Sequence, residues 1–252
     1  MFKLIDTHAH LEEIDDLEQV VAGARVAGLT AIIAMADMAS HARTLEIAAR
    51  YPDFVYPVFG WHPWDIKELE IDANLAFIHG NIARAAAIGE VGLDYDKRVR
   101  ARADKDLQKR VLRELLKIVK EYDKPACIHS RYAWRDAFDA VKEAGLTKAV
   151  FHWYTGTSGV LRDILDNGYY ISVTPAVEYH EEHRRAVKET PLSQLLLETD
   201  SPVTYARGRE GEFESRPADV LRSLKGAAML KGLTEAEIAE ATTENARKLF
   251  EI

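Results

Sequence analysis

The sequence predicts an α/β protein, a single (β/α)8 barrel of the TIM type, with a metal site at the C-terminal ends of its strands. Apolar runs of strand length alternate with amphipathic helical stretches along almost all of the 252 residues, the pattern of repeated βα units. Five short segments, most of which follow such a run, contain histidine, aspartate or glutamate, the side chains that bind metal ions. Active sites of these barrels lie where strands meet the following loops, so ligands scattered through the chain are expected to converge.

Eight runs qualify as strands, and eight parallel strands separated by helices favour a closed barrel. An open, doubly wound sheet is the alternative, but no glycine-rich dinucleotide loop follows the first strand. The predicted strands are Lys3–Thr7, Ala31–Met35, Val55–Phe59, Ala86–Glu90, Ala126–His129, Ala149–His152, Tyr170–Val173 and Leu195–Thr199.

The helical stretches are clearest after the fourth strand and at the end of the chain. After the fourth strand, apolar residues recur at helical spacing between lysines and arginines: Leu107, Val111, Leu115 and Ile118. The chain ends in two predicted helices, Pro217–Leu230 and Thr234–Phe250. Thr234 and Glu237 form the spacing of a capping box, which predicts where the last helix begins.

Composition is typical of one globular domain covering residues 1–252, with 47% apolar residues and a formal charge of −8. No stretch approaches the roughly 18 apolar residues of a membrane helix. The chain enters a strand at once, Phe2 to Ile5, and Cys127 is its only cysteine. We therefore expect no signal peptide, no intramolecular disulfide, a cytoplasmic location, no membrane association and no obligate protein partner.

The net negative charge argues against broad electrostatic adhesion to nucleic acid or anionic lipid. It leaves room for local contacts with phosphate, because these depend on where the cations lie. Two loops expected beside the metal site are rich in cations, although an ordinary solvated loop would look the same. The first contains Lys97, Arg98, Arg100 and Arg102, and the second contains Arg207, Arg209 and Arg216.

The candidate metal ligands comprise four histidines and two carboxylates, enough for two divalent cations. His8 and His10 are two apart in an extended segment, so both side chains lie on one side of the backbone. Glu90 lies between glycines at the end of the fourth strand, and its two oxygens allow it to bridge two cations. The other ligands follow later strands, His129 and His152 at the second ion and Asp200 at the first.

Asp200 is also the predicted acceptor of a proton from water at the metals. His62, after the third strand, is predicted as a substrate contact or acid rather than a ligand. Asp6 and Glu198 are expected to orient ligands.

The remaining histidines and the cysteine are predicted to have no part in the chemistry. Four histidines in charged or helical surroundings are expected on the surface: His41, His79, His180 and His183. Cys127 is predicted to be a small core residue, and no activated serine or cysteine is recognisable.

Together these segments resemble the TatD family of metal-dependent hydrolases within the amidohydrolase superfamily. The resemblance covers nearly the whole chain, and its most specific parts are the segments of Glu90 and Asp200. The matching segments are residues 6–11, 60–63, 89–95, 128–131, 198–202 and 245–250.

The resemblance implies two divalent cations on a TIM-like barrel, one held by His8, His10, Glu90 and Asp200, the other by Glu90, His129 and His152. It also implies a deoxyribonuclease working with Mg²⁺, with an aminoacyl-tRNA deacylase activity also associated with the family. Imidazole ligands by themselves favour Zn²⁺ or Mn²⁺. The sequence departs from the family at residues 152–156 and is only loosely similar over residues 203–216.

The leading hypothesis is hydrolysis of phosphodiester bonds in DNA by a hydroxide bridging two cations. In this scheme Asp200 accepts the proton, His62 protonates the departing oxygen, and Arg131 holds a neighbouring phosphate through its guanidinium fork. The alternative is a carboxylic ester or amide hydrolase with the same metals, favoured by the aromatic pair Trp153 and Tyr154, of which Trp153 is a predicted substrate contact. A metal-stabilised binding protein without turnover is a third possibility.

Overall fold

Eight parallel strands form one sheet in the order β1 to β8 in the computed structural model, which describes residues 2–252. All eight predicted strands are present, and the predicted (β/α)8 barrel is confirmed. The strands are β1 Leu4–Ala9, β2 Leu29–Ala36, β3 Val55–Trp61, β4 Ala87–Gly92, β5 Ala126–His129, β6 Ala149–Phe151, β7 Tyr170–Val173 and β8 Leu195–Leu197.

The barrel closes where β1 meets the segment that follows β8. Ala9 and Ser201 form a parallel bridge there. The amide of His10 donates to the carbonyl of Ser201 at 2.7 Å, and the amide of Asp200 donates to the carbonyl of His8 at 2.9 Å. The first and last ligand segments of the sequence are therefore held side by side by backbone hydrogen bonds.

Ten helices connect or follow the strands within the described residues. They are α1 Leu17–Val26, α2 His41–Arg50, α3 Ile71–Asn81, α4 Lys97–Arg100, α5 Lys105–Tyr122, α6 Trp134–Glu143, α7 Ser158–Asp166, α8 Glu181–Glu189, α9 Val220–Lys231 and α10 Glu235–Phe250. In α5 the predicted apolar face is buried at Val111, Leu115 and Ile118. The predicted capping box of Thr234 and Glu237 opens α10.

The strands alternate between two apolar layers, as the two-residue period of extended chain requires. Outward residues such as Leu4 and Ile32 pack with the helices. Ile5 and Ile33 belong to a separate cluster inside the barrel, to which Phe250 of α10 also belongs. Cys127 lies in this inner cluster, where burial raises the pKa of its thiol, in agreement with its prediction as a core residue.

Two local features differ from the sequence prediction. An antiparallel hairpin, β9 Thr204–Tyr205 and β10 Phe213–Glu214, lies in the loop after β8. The stretch predicted as one helix from Pro217 begins with a 3-10 turn, Pro217–Asp219, before α9. No helix within residues 2–252 is both long and apolar enough to span a bilayer.

His183 was expected on the surface, and this expectation is wrong. The ring is fully buried under α8. Its Nδ1 lies 3.0 Å from the carbonyl oxygen of Tyr154, and its Nε2 accepts from the amide of Thr174 at 3.1 Å. One nitrogen donates and the other accepts, which requires the neutral ring. The histidine thus ties the loops after β6 and β7 to α8, a role that the charged sequence of α8 conceals.

Burial lowers the pKa of His183 to about 4. In the unfolded chain the ring titrates near its ordinary value of about 6.5, so between these values the unfolded state binds the extra proton. Stability should therefore fall as the pH drops through this window, by about 3 kcal/mol for this group. Replacing His183 with Gln should lower the free energy of unfolding at neutral pH. The difference in free energy of unfolding between wild type and His183→Gln should then become smaller by that amount at pH ~4, because only wild type loses stability through this group.

Urea unfolding of the metal-free protein across this pH range measures the gap, with His79→Gln on the exposed side of α3 as the control. A gap between wild type and His183→Gln that stays constant with pH would contradict the neutral buried ring.

Candidate metal centre

The predicted ligands converge at the C-terminal end of the barrel from five strands or the segments that follow them, His8 and His10 from β1 and the residue after it. His8 lies in β1, Glu90 in β4 and His129 at the end of β5. His152 directly follows β6, and Asp200 lies three residues beyond β8. The structure thus brings together side chains that are up to 192 positions apart in the sequence.

Glu90 lies between two groups of imidazoles and turns one carboxylate oxygen to each. Its Oε2 lies 3.1 Å from Nε2 of His8 and 3.7 Å from Nε2 of His10. Its Oε1 lies 2.5 Å from Nδ1 of His129 and 2.7 Å from Nε2 of His152. The carboxylate is positioned as a bridge between the two groups.

Asp200 completes the first group. Its Oδ1 lies 3.5 Å from Nε2 of His8 and 3.6 Å from Nε2 of His10. Its backbone has a positive φ of 48°, a conformation uncommon for a residue other than glycine. Because the amide bonds to β1, this turn aims the carboxylate back at the histidine pair.

The donor set fits divalent cations. Ligands about 2.0–2.1 Å from one ion lie roughly 3–3.5 Å from each other, close to the spacings in both groups. The ligand atoms are imidazole nitrogens and carboxylate oxygens, which suit zinc, manganese and related ions. The described residues contain candidate three-ligand clusters at His8, His10 and Asp200 and at His62, Glu90 and His129.

The carboxylates and imidazoles of the centre shift each other's pKa values toward the charged forms. Burial alone would raise the pKa of Glu90, but the surrounding imidazoles, led by His152, lower it well below its ordinary value. Burial alone would lower the pKa of His152, yet Glu90 and Glu198 raise it well above its usual range. Asp200 likewise has a lowered pKa, because His10 and His8 outweigh the effect of burial. The carboxylates are thus ionised and available as ligands.

Further carboxylates lie behind the ligand histidines. Asp94, fully buried, accepts from Nε2 of His129 at 3.0 Å. Nδ1 of His152 lies 3.6 Å from Glu198, and Nδ1 of His10 lies 3.7 Å from Glu12. Only the contact of Asp94 is within hydrogen-bond distance; it fixes the proton of His129 on Nε2 and leaves Nδ1 for a metal. The sequence pattern included Asp94 but gave it no role; a carboxylate four residues beyond Glu90 was its only signal.

Asp6 acts at the barrel seam. Its carboxylate accepts from the amide of Thr199 at 2.9 Å, from the hydroxyl of Thr199 at 2.5 Å and from the amide of His8 at 3.3 Å. Burial raises its pKa well above the ordinary value. Asp6 therefore fixes the backbone on both sides of the seam, next to His8 and Asp200, and touches neither ligand side chain.

Two glycines allow the strands of the centre to approach each other. A Cβ on Gly92 would lie 1.9 Å from the carbonyl oxygen of His129, and a Cβ on Gly60 would lie 2.3 Å from the carbonyl carbon of Gly89. Both distances are far below contact, so larger residues would push β5 or β4 away. Glu90 and His129 keep their spacing because these positions have no side chain.

His62 lies beside the second group, with Nε2 3.4 Å from Oε1 of Glu90 and 3.3 Å from Nδ1 of His129. Its Nδ1 accepts from the amide of Trp64 at 3.2 Å. A neutral imidazole that accepts at one nitrogen carries its proton on the other, so Nε2 is a donor. Burial lowers the pKa of His62, which keeps the ring neutral.

The predicted substrate contacts have different surroundings. The guanidinium of Arg131 lies 2.9 Å from Asp94 and stacks over Trp64 at 5.1 Å, so the fork expected to hold a phosphate already engages a carboxylate. Trp153 is half-buried, and its amide donates to Glu198 at 2.9 Å. Tyr154 is fully buried and donates to the carbonyl of Thr157. Tyr154 is therefore not accessible to a substrate, and only Trp153 remains of the aromatic pair that favoured the alternative substrate.

The two cation-rich loops also differ from each other. Lys97, Arg98 and Arg100 belong to the exposed helix α4, directly beyond Asp94. Arg216, in the loop after β8, instead pairs with Asp16 at 2.7 Å. The other two arginines of that loop, Arg207 and Arg209, are followed by three glutamates at positions 210, 212 and 214. Only the first loop therefore presents an excess of positive charge.

Comparison with known proteins agrees with this fold. Residues 5–251 match the family model described as TatD related DNase. The chain belongs to the TatD family. Human deoxyribonuclease TATDN3 is 32% identical, with 98% of this chain and 94% of the relative covered. The uncharacterised metal-dependent hydrolase YabD of Bacillus subtilis is 36% identical, with 99% of each chain covered.

A solved structure supports the same assignment. The TatD homologue YjjV of Escherichia coli K12 superposes with a TM-score of 0.87 at 28% identity, covering 99% of this chain and 98% of the other. This TatD-family chain is a metal-dependent hydrolase with an amidohydrolase-like barrel, and its candidate ligand clusters support binding of divalent metal.

Replacing Asp94 with Asn removes the negative charge behind His129 while keeping its shape. Because that charge holds the ring proton on Nε2, metal affinity should fall by about 10- to 100-fold. Calorimetric titration of the metal-free protein with Mn²⁺ measures the change. Asp106→Asn, an exposed position on α5, is the matched control and should bind as wild type does. An Asp94→Asn protein with unchanged affinity would show that this contact does not orient the ligand.

Proposed function

We propose that this TatD-family protein is a deoxyribonuclease that hydrolyses phosphodiester bonds with two divalent cations. The observation that carries the proposal is Glu90, whose two oxygens face two separate ligand groups. Two-metal sites with a bridging carboxylate suit in-line displacement at phosphorus. The name of the human relative, a deoxyribonuclease at 32% identity, supports the same reaction.

In this proposal His8, His10, Glu90 and Asp200 hold one cation. Glu90, His129 and His152 hold the other, and the candidates for both are Mg²⁺, Zn²⁺ and Mn²⁺. When bound, the cations lower the pKa of water at the site and offset the charge that develops on the phosphoryl oxygens. Asp94 holds the proton of His129 on Nε2, which leaves Nδ1 for the cation.

Asp200 accepts the proton of the attacking water. Both of its contacts with His8 and His10 use Oδ1, which leaves Oδ2 for this role. Its position at the seam of the barrel, with a backbone hydrogen bond from its amide to β1, holds the carboxylate at the first ligand group.

His62 binds the substrate as a hydrogen-bond donor. The amide of Trp64 occupies its Nδ1, so the proton on Nε2 faces the centre. From there Nε2 donates to an oxygen of the phosphoryl group or of the departing alcohol. Nε2 of His62 also lies in a candidate ligand cluster with Glu90 and His129. A nitrogen that carries a proton does not bind a metal, so in this proposal His62 contacts the substrate and is not a ligand.

The alternative, hydrolysis of a carboxylic ester or amide, depended on an aromatic wall at residues 153 and 154. Tyr154 lies in the core, and the ring of Trp153 packs on Tyr205 at 5.3 Å. Of these two aromatic residues, only Trp153 therefore remains as a candidate contact for such a substrate. No other observation favours a carbonyl substrate over a phosphodiester.

The test is incubation of metal-loaded protein with 5′-labelled single-stranded DNA and Mg²⁺, Mn²⁺ or Zn²⁺ in turn. Wild type should shorten the oligonucleotide. Asp200→Asn should reduce turnover by about 10²- to 10⁴-fold, because a positioned base contributes on that order. Asp166→Asn, exposed at the end of α7, is the matched control and should cleave normally.

An oligonucleotide that stays intact with every metal, together with cleavage of an ester panel by the same preparation, would replace the nuclease with a carbonyl hydrolase. Normal DNA cleavage by Asp200→Asn would remove Asp200 from the mechanism.

A further inference from the structure

A cleft of about 520 Å³ opens next to the metal centre. Its volume lies within the range of about 300–1,000 Å³ that is usual for small-molecule sites. It lies between α4, which follows β4, and the loop after β5. Its lining residues are Tyr95, Asp96, Lys97, Arg98, Arg100 and Tyr132. None of these residues is a candidate metal ligand, so metal binding does not account for the cleft.

The lining is positively charged on a chain that is negative overall. Three cations and one carboxylate surround the cleft, whereas the whole chain carries −8. Arg98 is held by Asp96 at 3.1 Å, and Arg100 donates from Nε to the carbonyl of Tyr95 at 3.0 Å. Lys97 makes no ion pair within residues 2–252. Guanidinium groups anchored through Nε keep their terminal nitrogens for an anion.

The opposite wall presents an aromatic ring to solvent. Tyr132 is 61% exposed, and its φ of 58° lies in the left-handed region. For a residue with a Cβ this conformation is unfavourable, and burial of the ring does not offset it. One edge of the ring rests near Trp134, with centroids 6.0 Å apart. A ring held in this way is a platform on which a planar group stacks.

The cleft is joined to the metal centre through Asp94. Arg131, the neighbour of Tyr132, lies 2.9 Å from Asp94, which accepts from the ligand His129 at 3.0 Å. Trp64, 46% exposed, donates from Nε1 to the same carboxylate at 2.6 Å. Two successive contacts therefore separate the cleft wall from a metal ligand, so a group bound in the cleft is a neighbour of the group at the metals.

We propose that this cleft is a nucleotide subsite, which binds the nucleotide flanking the scissile bond of single-stranded DNA. The base stacks on Tyr132, and its phosphate lies against Arg98 and Arg100. The inference rests on the proposed nuclease function and adds the surface of the protein that binds the flanking nucleotide. A paired base has its faces covered within the duplex, so stacking on Tyr132 requires an unpaired nucleotide.

Binding is measured by fluorescence anisotropy with labelled single-stranded oligonucleotide and Mn²⁺, in the Asp200→Asn background so that the DNA stays intact. In that background Tyr132→Ala should weaken binding of single-stranded DNA by about 5- to 100-fold, as loss of one stacked base does. Tyr132→Phe should restore it, because the face of the ring is kept. Tyr122→Ala, 41% exposed at the end of α5, is the control for loss of a surface tyrosine.

Changing Arg98 and Arg100 together to Gln should weaken binding and flatten its salt dependence. Each lost phosphate contact reduces the slope of log K against log salt by about 0.7 for a single strand. The pair Arg110→Gln and Arg162→Gln, exposed on α5 and α7, is the control and should leave the slope unchanged. The affinity for duplex DNA should change by less than about 2-fold in Tyr132→Ala.

The subsite is refuted if wild type cleaves DNA while the cleft variants, with Asp200 intact, bind and cleave as wild type does. It is also refuted if Tyr122→Ala weakens binding as much as Tyr132→Ala, or if duplex and single strand lose affinity equally. Failure of the nuclease proposal has a different signature, since then wild type with every metal leaves DNA intact.

Discussion

The active end of this barrel depends on a single carboxylate shared between two groups of imidazoles. Glu90 is 6% exposed and is in contact distance of the histidines from β1, β5 and β6. A buried carboxylate is strongly unfavourable unless cations or donors surround it. Each strand end must therefore deliver its ligand to the same small volume, and the barrel provides that geometry because its parallel strands all end on one face.

The neighbours of Glu90 follow from this constraint. Metal-binding nitrogens must carry no proton, so a carboxylate behind the ring fixes the tautomer, as Asp94 does for His129. The close approach of β4 and β5 needs a position without a Cβ, which Gly92 supplies. The seam needs a buried acceptor, and Asp6 serves both of its sides. Asp94 also orients Arg131 and Trp64, so the shape of the outer cleft is linked to the ligands within.

The sequence predicts the strands well, because a buried parallel strand is a short apolar run. It also predicts which side chains meet at the C-terminal end of the barrel, Glu90 and Asp200 among them, because they lie at the end of such a run or shortly after it. Residues whose roles depend on distant partners are not. The charged sequence of α8 hides the burial of His183, whose partners lie in other loops. Arg216 pairs with Asp16, 200 positions away, and no spacing rule could have indicated this.

The shared carboxylate is tested most directly by electron paramagnetic resonance of protein saturated with Mn²⁺. If Glu90 bridges two ions, wild type should give the spectrum of an exchange-coupled manganese pair, because ions in such sites are only about 3.5–4 Å apart. Glu90→Gln should lose the coupled signal, whereas Glu143→Gln, exposed at the end of α6, should keep it. An uncoupled spectrum in saturated wild type, or a coupled one in Glu90→Gln, would contradict the bridge.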